Sequence, residues 1–171
     1  MSQSLLDHFP LISRIRRNHG LEHATMSVLG ERFKGLPMAG MSGAQGFVLF
    51  ADLPTEIVCD AGLEALKRLE GGESKLAVHP NCGTNLTVAS LLAGLTAWIV
   101  IAGMSRSARL KIWKFPLALL FAVPVFILTK PLGMRVQRTL TTNAEPNGMQ
   151  LAQVTSQRIN DHNVHRVMTR F

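Results

Sequence analysis

Two histidines and a glutamate near the N-terminus have types and spacing that could bind and use a metal ion. His19, Glu22 and His23 form the pattern H-x-x-E-H. On an α-helix, residues four apart project from one face, so His19 and His23 could bind the same ion. Glu22 lies about 100° round the helix from His23 and could take a proton from water at that metal. The pattern predicts a metal site with Glu22 as general base.

A second pattern supplies two more potential ligands. In the run H-P-N-C-G-T, His79 and Cys82 lie three residues apart on a tight turn, just before an apolar segment. Imidazole and thiolate are both zinc ligands, so Zn²⁺ is the expected cofactor. Three protein ligands would leave a position for water, whereas four would close the site and make it structural. The plain alternatives are hydrogen-bonded helix histidines and a buried free thiol.

Two apolar runs follow this turn and account for much of the 47% hydrophobic content. Residues 86–104 contain no charge and are long enough to cross a bilayer as a helix. Residues 115–129 form a shorter run that includes Pro124, which predicts a kink. Four Lys and Arg residues and Trp113 lie between the runs, as at a membrane interface. We expect a transmembrane hairpin, and the alternative is two buried core helices.

The net charge of +7 therefore predicts contact with a lipid bilayer. No nucleic-acid motif or aromatic interleaving accompanies the basic residues, so nucleic acid is not an expected partner. Six basic residues flank the hairpin on one side and four lie in its loop, and the two cysteines are too few for a disulfide scaffold. We expect a multi-pass protein of the bacterial inner membrane, with the termini and the metal site cytoplasmic. No signal peptide is expected.

The remaining sequence predicts a small membrane-associated α+β fold in three parts. Residues 1–84 form an N-terminal α+β part with the metal site, 85–132 the transmembrane hairpin, and 133–171 a C-terminal β-hairpin that packs with the first part. Asn18 is expected to begin the helix that carries the histidines. Four strands are expected, at 36–41, 47–51, 151–158 and 164–170.

An apolar stripe precedes that helix. Leu5, Leu6, Phe9, Ile12 and Ile15 have helical spacing, but Pro10 is expected to limit this stretch to a short or broken piece. The stripe could lie on a membrane surface or pack as an ordinary docking helix.

Several longer runs resemble a family of small, uncharacterised bacterial membrane proteins, over roughly residues 15–140. The runs are HGLEHATMSVL, ADLPTE, EALKRLEGGE and LAVHPNCGTNL. A second such family also combines H-G-x-E-H with H-P-x-C-G-T. The resemblance implies that the five residues of these motifs form one site: His19, Glu22, His23, His79 and Cys82. The chain also resembles inverted-zincin metallopeptidases in H-x-x-E-H alone. Those enzymes use a downstream glutamate as third ligand, whereas here no later glutamate has a distinguishing context.

Three functions are compatible with these features. The first is a membrane-bound zinc-dependent hydrolase, most plausibly metallopeptidase-like, which acts on a peptide or protein held along a strand edge. The second is a non-enzymatic assembly or interaction factor with a structural metal. The third and weakest is a tetrapyrrole-handling protein, although no CxxCH motif is present. Association with further copies of the same chain, as a homo-oligomer, is also expected.

Overall fold

The computed structural model describes residues 5–103, 111–160 and 162–171. The chain divides into two compact units, the first formed by Met1–His79 and Arg138–Phe171 and the second by Pro80–Gln137. The first unit contains a four-stranded antiparallel sheet and two long helices, and the described part of the second unit is helical. The α+β prediction is confirmed. The basic segment expected at 105–114 lies mostly outside the described residues.

Helix α1 spans Pro10–Arg32 and carries the first motif. Pro10 lies in the first turn, where its missing N–H breaks no intrahelical hydrogen bond and its fixed φ suits a helix. A separate 3-10 helix, Leu5–His8, precedes α1, so the apolar stripe is divided at Pro10 as expected, and α1 then continues unbroken through Ile15 into the motif. The predicted start at Asn18 is wrong, because Asn18 lies inside α1 and is fully buried.

The four predicted strands are present and join in one sheet with the order β1-β2-β4-β3. Their bounds are Ala39–Gly43, Gly46–Phe50, Gln150–Ile159 and His162–Arg170 for β1, β2, β3 and β4. Phe47 and Leu49 alternate along β2 and are buried, as the two-residue period of a strand requires. The pairing of β2 with β4 joins the N-terminal and C-terminal hairpins, and it leaves β1 and β3 at the edges.

Helix α2, Thr55–Glu70, completes the core of the first unit. Its buried apolar side chains recur at helical spacing: Val58, Ala61, Ala65 and Leu69. They form one apolar cluster with Leu21 and Val28 of α1 and with Leu49 of β2. This packing fixes the position of α1 relative to the sheet, including its edge strand β1.

The second unit begins with helix α3, Gly83–Gly103, which is long and apolar enough to cross a membrane. Helix α4, Lys111–Leu128, contains Pro116 and Pro124, and α5, Lys130–Val136, follows it after a bend of 48°. A π-helical turn, Gln137–Thr141, continues α5. The second apolar run is long enough to cross a membrane only if α4 and the bent segment after it form one span. A two-helix hairpin therefore stays a prediction.

Candidate metal site

The two histidines of the first motif lie together on α1. His19 and His23 are one turn apart, and their ring centroids are separated by 4.3 Å with the ring planes at 60°. His23 is buried, whereas His19 is half-buried. The i, i+4 spacing therefore places both imidazoles side by side on one face of the helix, as the sequence predicts.

Each imidazole is oriented by a backbone carbonyl. His19 Nδ1 lies 2.9 Å from the Thr141 carbonyl oxygen, and His23 Nδ1 lies 2.9 Å from that of Ala77. A carbonyl oxygen can only accept, so each Nδ1 carries the proton and donates it. In a neutral imidazole the lone pair then lies on Nε2. Histidines that bind metals are held in this way by outer hydrogen bonds, which fix the tautomer and the ring direction.

Arg16 holds the backbone segment that carries this Thr141 carbonyl, through the carbonyls on either side of it. This buried side chain donates from Nη2 to the carbonyl oxygens of Thr139 (3.0 Å) and Thr142 (3.2 Å). Its Nη1 forms an ion pair of 2.6 Å with Asp7. The Asn143 amide also donates to the Arg16 carbonyl, at 2.9 Å. Sequence reasoning missed Arg16, because the carbonyl groups that its side chain binds lie more than 120 residues away in the chain.

The second motif contributes a third histidine to the same region of the first unit. A short 3-10 helix, Ser74–Ala77, ends at the carbonyl that orients His23. The ring centroids of His79 and His23 are 6.0 Å apart, and the ring planes are at 45° to each other. His79 is therefore a neighbour of His23, but it is farther from it than His19 is.

The predicted general base lies against the edge strand of the sheet. Glu22 is 3% exposed. A Cβ placed on Gly40 of β1 would lie 2.7 Å from the Glu22 Cδ, so only glycine leaves room for this carboxylate. Asn18, one turn earlier, donates to the Gly43 carbonyl at 2.7 Å and accepts from the Thr169 hydroxyl at 2.7 Å. These bonds fix the Glu22 face of α1 against β1 and β4.

Cys82 is the first candidate ligand in the second unit. It is a buried cysteine, and its backbone carbonyl accepts hydrogen bonds from the amides of Asn85 and Leu86 at the beginning of α3. The Thr84 amide lies 3.4 Å from its sulfur. Imidazole and thiolate are both ligand types for Zn²⁺, and a shared site of Cys82 with His19 and His23 stays a prediction.

Two surface carboxylates of the first unit have shifted pKa values. The pKa of Asp52 is lowered, chiefly because the Asn163 amide donates to its carboxylate and also because His162 does. The pKa of Glu31 is lowered by its hydrogen bond with Arg68. Both carboxylates are exposed, so they belong to the solvated surface.

Comparison with known proteins places the chain in a family. Residues 14–154 match the model of a domain of unknown function, DUF6391. The chain belongs to this family. An uncharacterised protein of Picosynechococcus sp. (strain ATCC 27264 / PCC 7002 / PR-6) is 36% identical over 142 residues, which cover 75% of the chain. The match spans 65% of the length of that relative. No solved structure matches the chain. The expectation of an uncharacterised family is confirmed.

Proposed function

We propose that the protein is a membrane-attached, zinc-dependent hydrolase whose metal is held by His19, His23 and Cys82. The observation that carries this proposal is the pair of imidazoles on α1, 4.3 Å apart, each with Nδ1 at 2.9 Å from a backbone carbonyl. Ordinary core histidines need no common orientation of this kind. Two imidazoles oriented through Nδ1 present both Nε2 atoms as ligands.

Cys82 is the preferred third ligand. It follows His79 by three residues, so its Cα can lie at most about 10–11 Å from that of His79. A helix N-terminus favours a thiolate, and the Thr84 amide is within donor distance of the sulfur. Two imidazoles and one thiolate are a donor set that suits Zn²⁺. With only three protein ligands, a bound metal would remain accessible to water or substrate.

A zinc ion held by these residues would supply a Lewis acid for hydrolysis. In our proposal Glu22 is the general base, which takes up a proton from the attacking water at its carboxylate and passes it to the leaving group. Its burial and its contact with Gly40 hold the carboxylate in one place, which a general base requires. Asn18 holds the same face of α1 to the sheet, and thus acts as a positioning residue for Glu22.

The edge strand β1 supports an extended peptide as substrate. β1 pairs with β2 on one side, and its other side is the edge of the sheet. Its sequence, AGMSG, has none of the charged or proline residues that usually protect an edge. A peptide could therefore add to this edge through backbone hydrogen bonds, beside Gly40 and Glu22.

We propose that the helices of the second unit attach the protein to a membrane. Helix α3 would span the bilayer, and α4 with the bent segment after it would return the chain to the same side. This topology gives a two-helix hairpin in a bacterial inner membrane, with the termini and the metal site in the cytoplasm. The excess of basic residues on the flanks favours this orientation.

One observation favours a second candidate function. The His79 ring is 6.0 Å from that of His23, so a modest movement of His79 could add a fourth ligand. A four-ligand shell would be closed and structural. The protein would then be a non-enzymatic assembly or interaction factor, in which the metal holds α1 and Glu22 only orients a ligand.

Metal content and hydrolysis, measured on the same samples, test the proposal. Full-length protein purified in detergent should contain one zinc per chain and cleave a fluorogenic peptide pool. Cys82→Ser should lose zinc, whereas the matched control Cys59→Ser should keep it. Glu22→Gln should keep zinc and lose cleavage. Full zinc in Cys82→Ser, or full cleavage by Glu22→Gln, would contradict the proposal. Zinc without cleavage in the unmodified protein would favour the structural alternative.

A further inference from the structure

The first turns of α1 have an amphipathicity opposite to that expected of a helix in water. Four apolar side chains here are between 37% and 61% exposed, namely Phe9, Leu11, Ile12 and Ile15. In the same turns Ser13, Arg16 and Arg17 are buried. Exposed apolar residues that are contiguous on one surface mark a site of contact with a partner or a membrane.

Polar contacts fix this orientation. Arg16 binds Asp7 and two carbonyl oxygens, while Arg17 donates to the Ser13 hydroxyl at 3.1 Å and also to the Glu145 carbonyl at 2.5 Å. Any rotation of α1 that hid the apolar side chains would break these bonds and leave buried charges without partners. The outward apolar surface is therefore a stable property of the first unit.

The charge beside this surface is positive. Arg14 is exposed on the same helix, and its guanidinium carbon lies 5.5 Å from the ring centroid of Phe171, which is itself 42% exposed. The neighbouring Arg170 is also exposed. The acidic residue nearest in sequence, Asp7, is paired with Arg16, and its side chain is only 10% exposed.

We propose that Phe9, Leu11, Ile12, Ile15 and Phe171 form a docking surface for the interface of an anionic lipid bilayer. Apolar side chains flanked by arginine suit this interface, where they enter the boundary between headgroups and acyl chains to a depth of about 5–10 Å. The arginines attract anionic headgroups. A second protein would also cover apolar side chains, but it would have to present acidic groups here, whereas a bilayer supplies both features at once.

Depth-dependent fluorescence quenching tests this inference independently of any metal or activity. The full-length protein is reconstituted into phosphatidylglycerol-rich vesicles that carry brominated lipid, with Trp98→Phe and Trp113→Phe as background. A single tryptophan is then introduced as Ile12→Trp or Leu11→Trp. Leu63→Trp is the matched control, because Leu63 is 50% exposed on α2 of the same unit.

Tryptophan at 11 or 12 should be quenched several-fold more than tryptophan at 63, and more strongly by bromine near the headgroup than by bromine near the chain end. Adding Arg14→Glu should reduce that quenching in anionic vesicles. Equal, weak quenching at 12 and 63 would overturn the proposal. A shielded tryptophan that is unquenched by lipid but crosslinks to a second chain would also overturn it, because the surface would then face protein.

Discussion

Gly20 and Gly30 lie on the same helix but in opposite environments, so one substitution should have opposite effects at the two positions. A Cβ on Gly20 would overlap the Asn143 carbonyl oxygen and lie 3.2 Å from its carbon. A Cβ on Gly30 meets nothing within 4 Å. Gly20→Ala must therefore push backbone away from α1, whereas Gly30→Ala need not move anything.

The magnitude follows from the same contacts. Both variants gain about 1 kcal/mol of helix propensity. Gly20→Ala also carries a backbone clash of about 1–3 kcal/mol and weakens the Asn143–Arg16 hydrogen bond, worth about 1 kcal/mol. Because the propensity gain is common to both, Gly20→Ala should be less stable than Gly30→Ala by about 2–4 kcal/mol. Gly30→Ala should be more stable than the unmodified protein.

Hydrogen exchange provides the assay, because it reports the free energy of opening for individual segments. The amides of β2 and β4 form the centre of the first unit and should report its global opening. Their opening free energy should fall in Gly20→Ala and rise slightly in Gly30→Ala. If Gly20→Ala is as stable as Gly30→Ala, the close approach of α1 to residues 141–143 is wrong, and with it the orientation of His19.

Three further predictions follow from single contacts. Arg16→Met should weaken zinc binding by about 10–100-fold, because the segment that carries the Thr141 carbonyl loses its hydrogen bonds at Thr139 and Thr142. Arg14→Met is the control on the same helix, and equal affinities in the two variants would contradict the role of Arg16. Gly40→Ala should displace the Glu22 carboxylate and lower peptide cleavage while the zinc content stays unchanged, so loss of zinc in parallel would refute it. The pKa of Asp52, read by NMR titration, should lie below that of an ordinary aspartate, chiefly because the Asn163 amide donates to its carboxylate. Its stabilising contribution is therefore present at neutral pH and is lost as pH falls through that lowered pKa, so the stability difference between the protein and Asp52→Asn should vanish in acid.

Local patterns in the sequence were sufficient for the elements of the first unit. The H-x-x-E-H spacing predicted two imidazoles on one helix face, and α1 places them 4.3 Å apart. Turn residues between short strand-like runs predicted the two hairpins that contain β2 and β4. The helix start was misplaced because Asn18 resembles a capping residue, whereas its amide actually bonds the carbonyl of Gly43 in a strand.

Long-range pairing is what the sequence could not provide. The carbonyl partners of His19 and His23 are 122 and 54 residues away in the chain. Every residue has a backbone carbonyl, so the sequence does not indicate which one will bind a given histidine. The joining of the two hairpins through β2 and β4 depends on contacts between distant segments for the same reason. A kink was predicted at Pro124, but the 48° bend follows Leu128, at the junction with the next helical segment.

X-ray absorption at the zinc edge of the purified full-length protein identifies the atoms bound to the metal. We expect one zinc per chain with two imidazole nitrogens at about 2.0–2.1 Å and one sulfur at about 2.3 Å. The sulfur shell should disappear in Cys82→Ser and persist in Cys59→Ser. A spectrum without sulfur, or a nitrogen shell that is unchanged when His19 and His23 are both replaced by alanine, would contradict this ligand set.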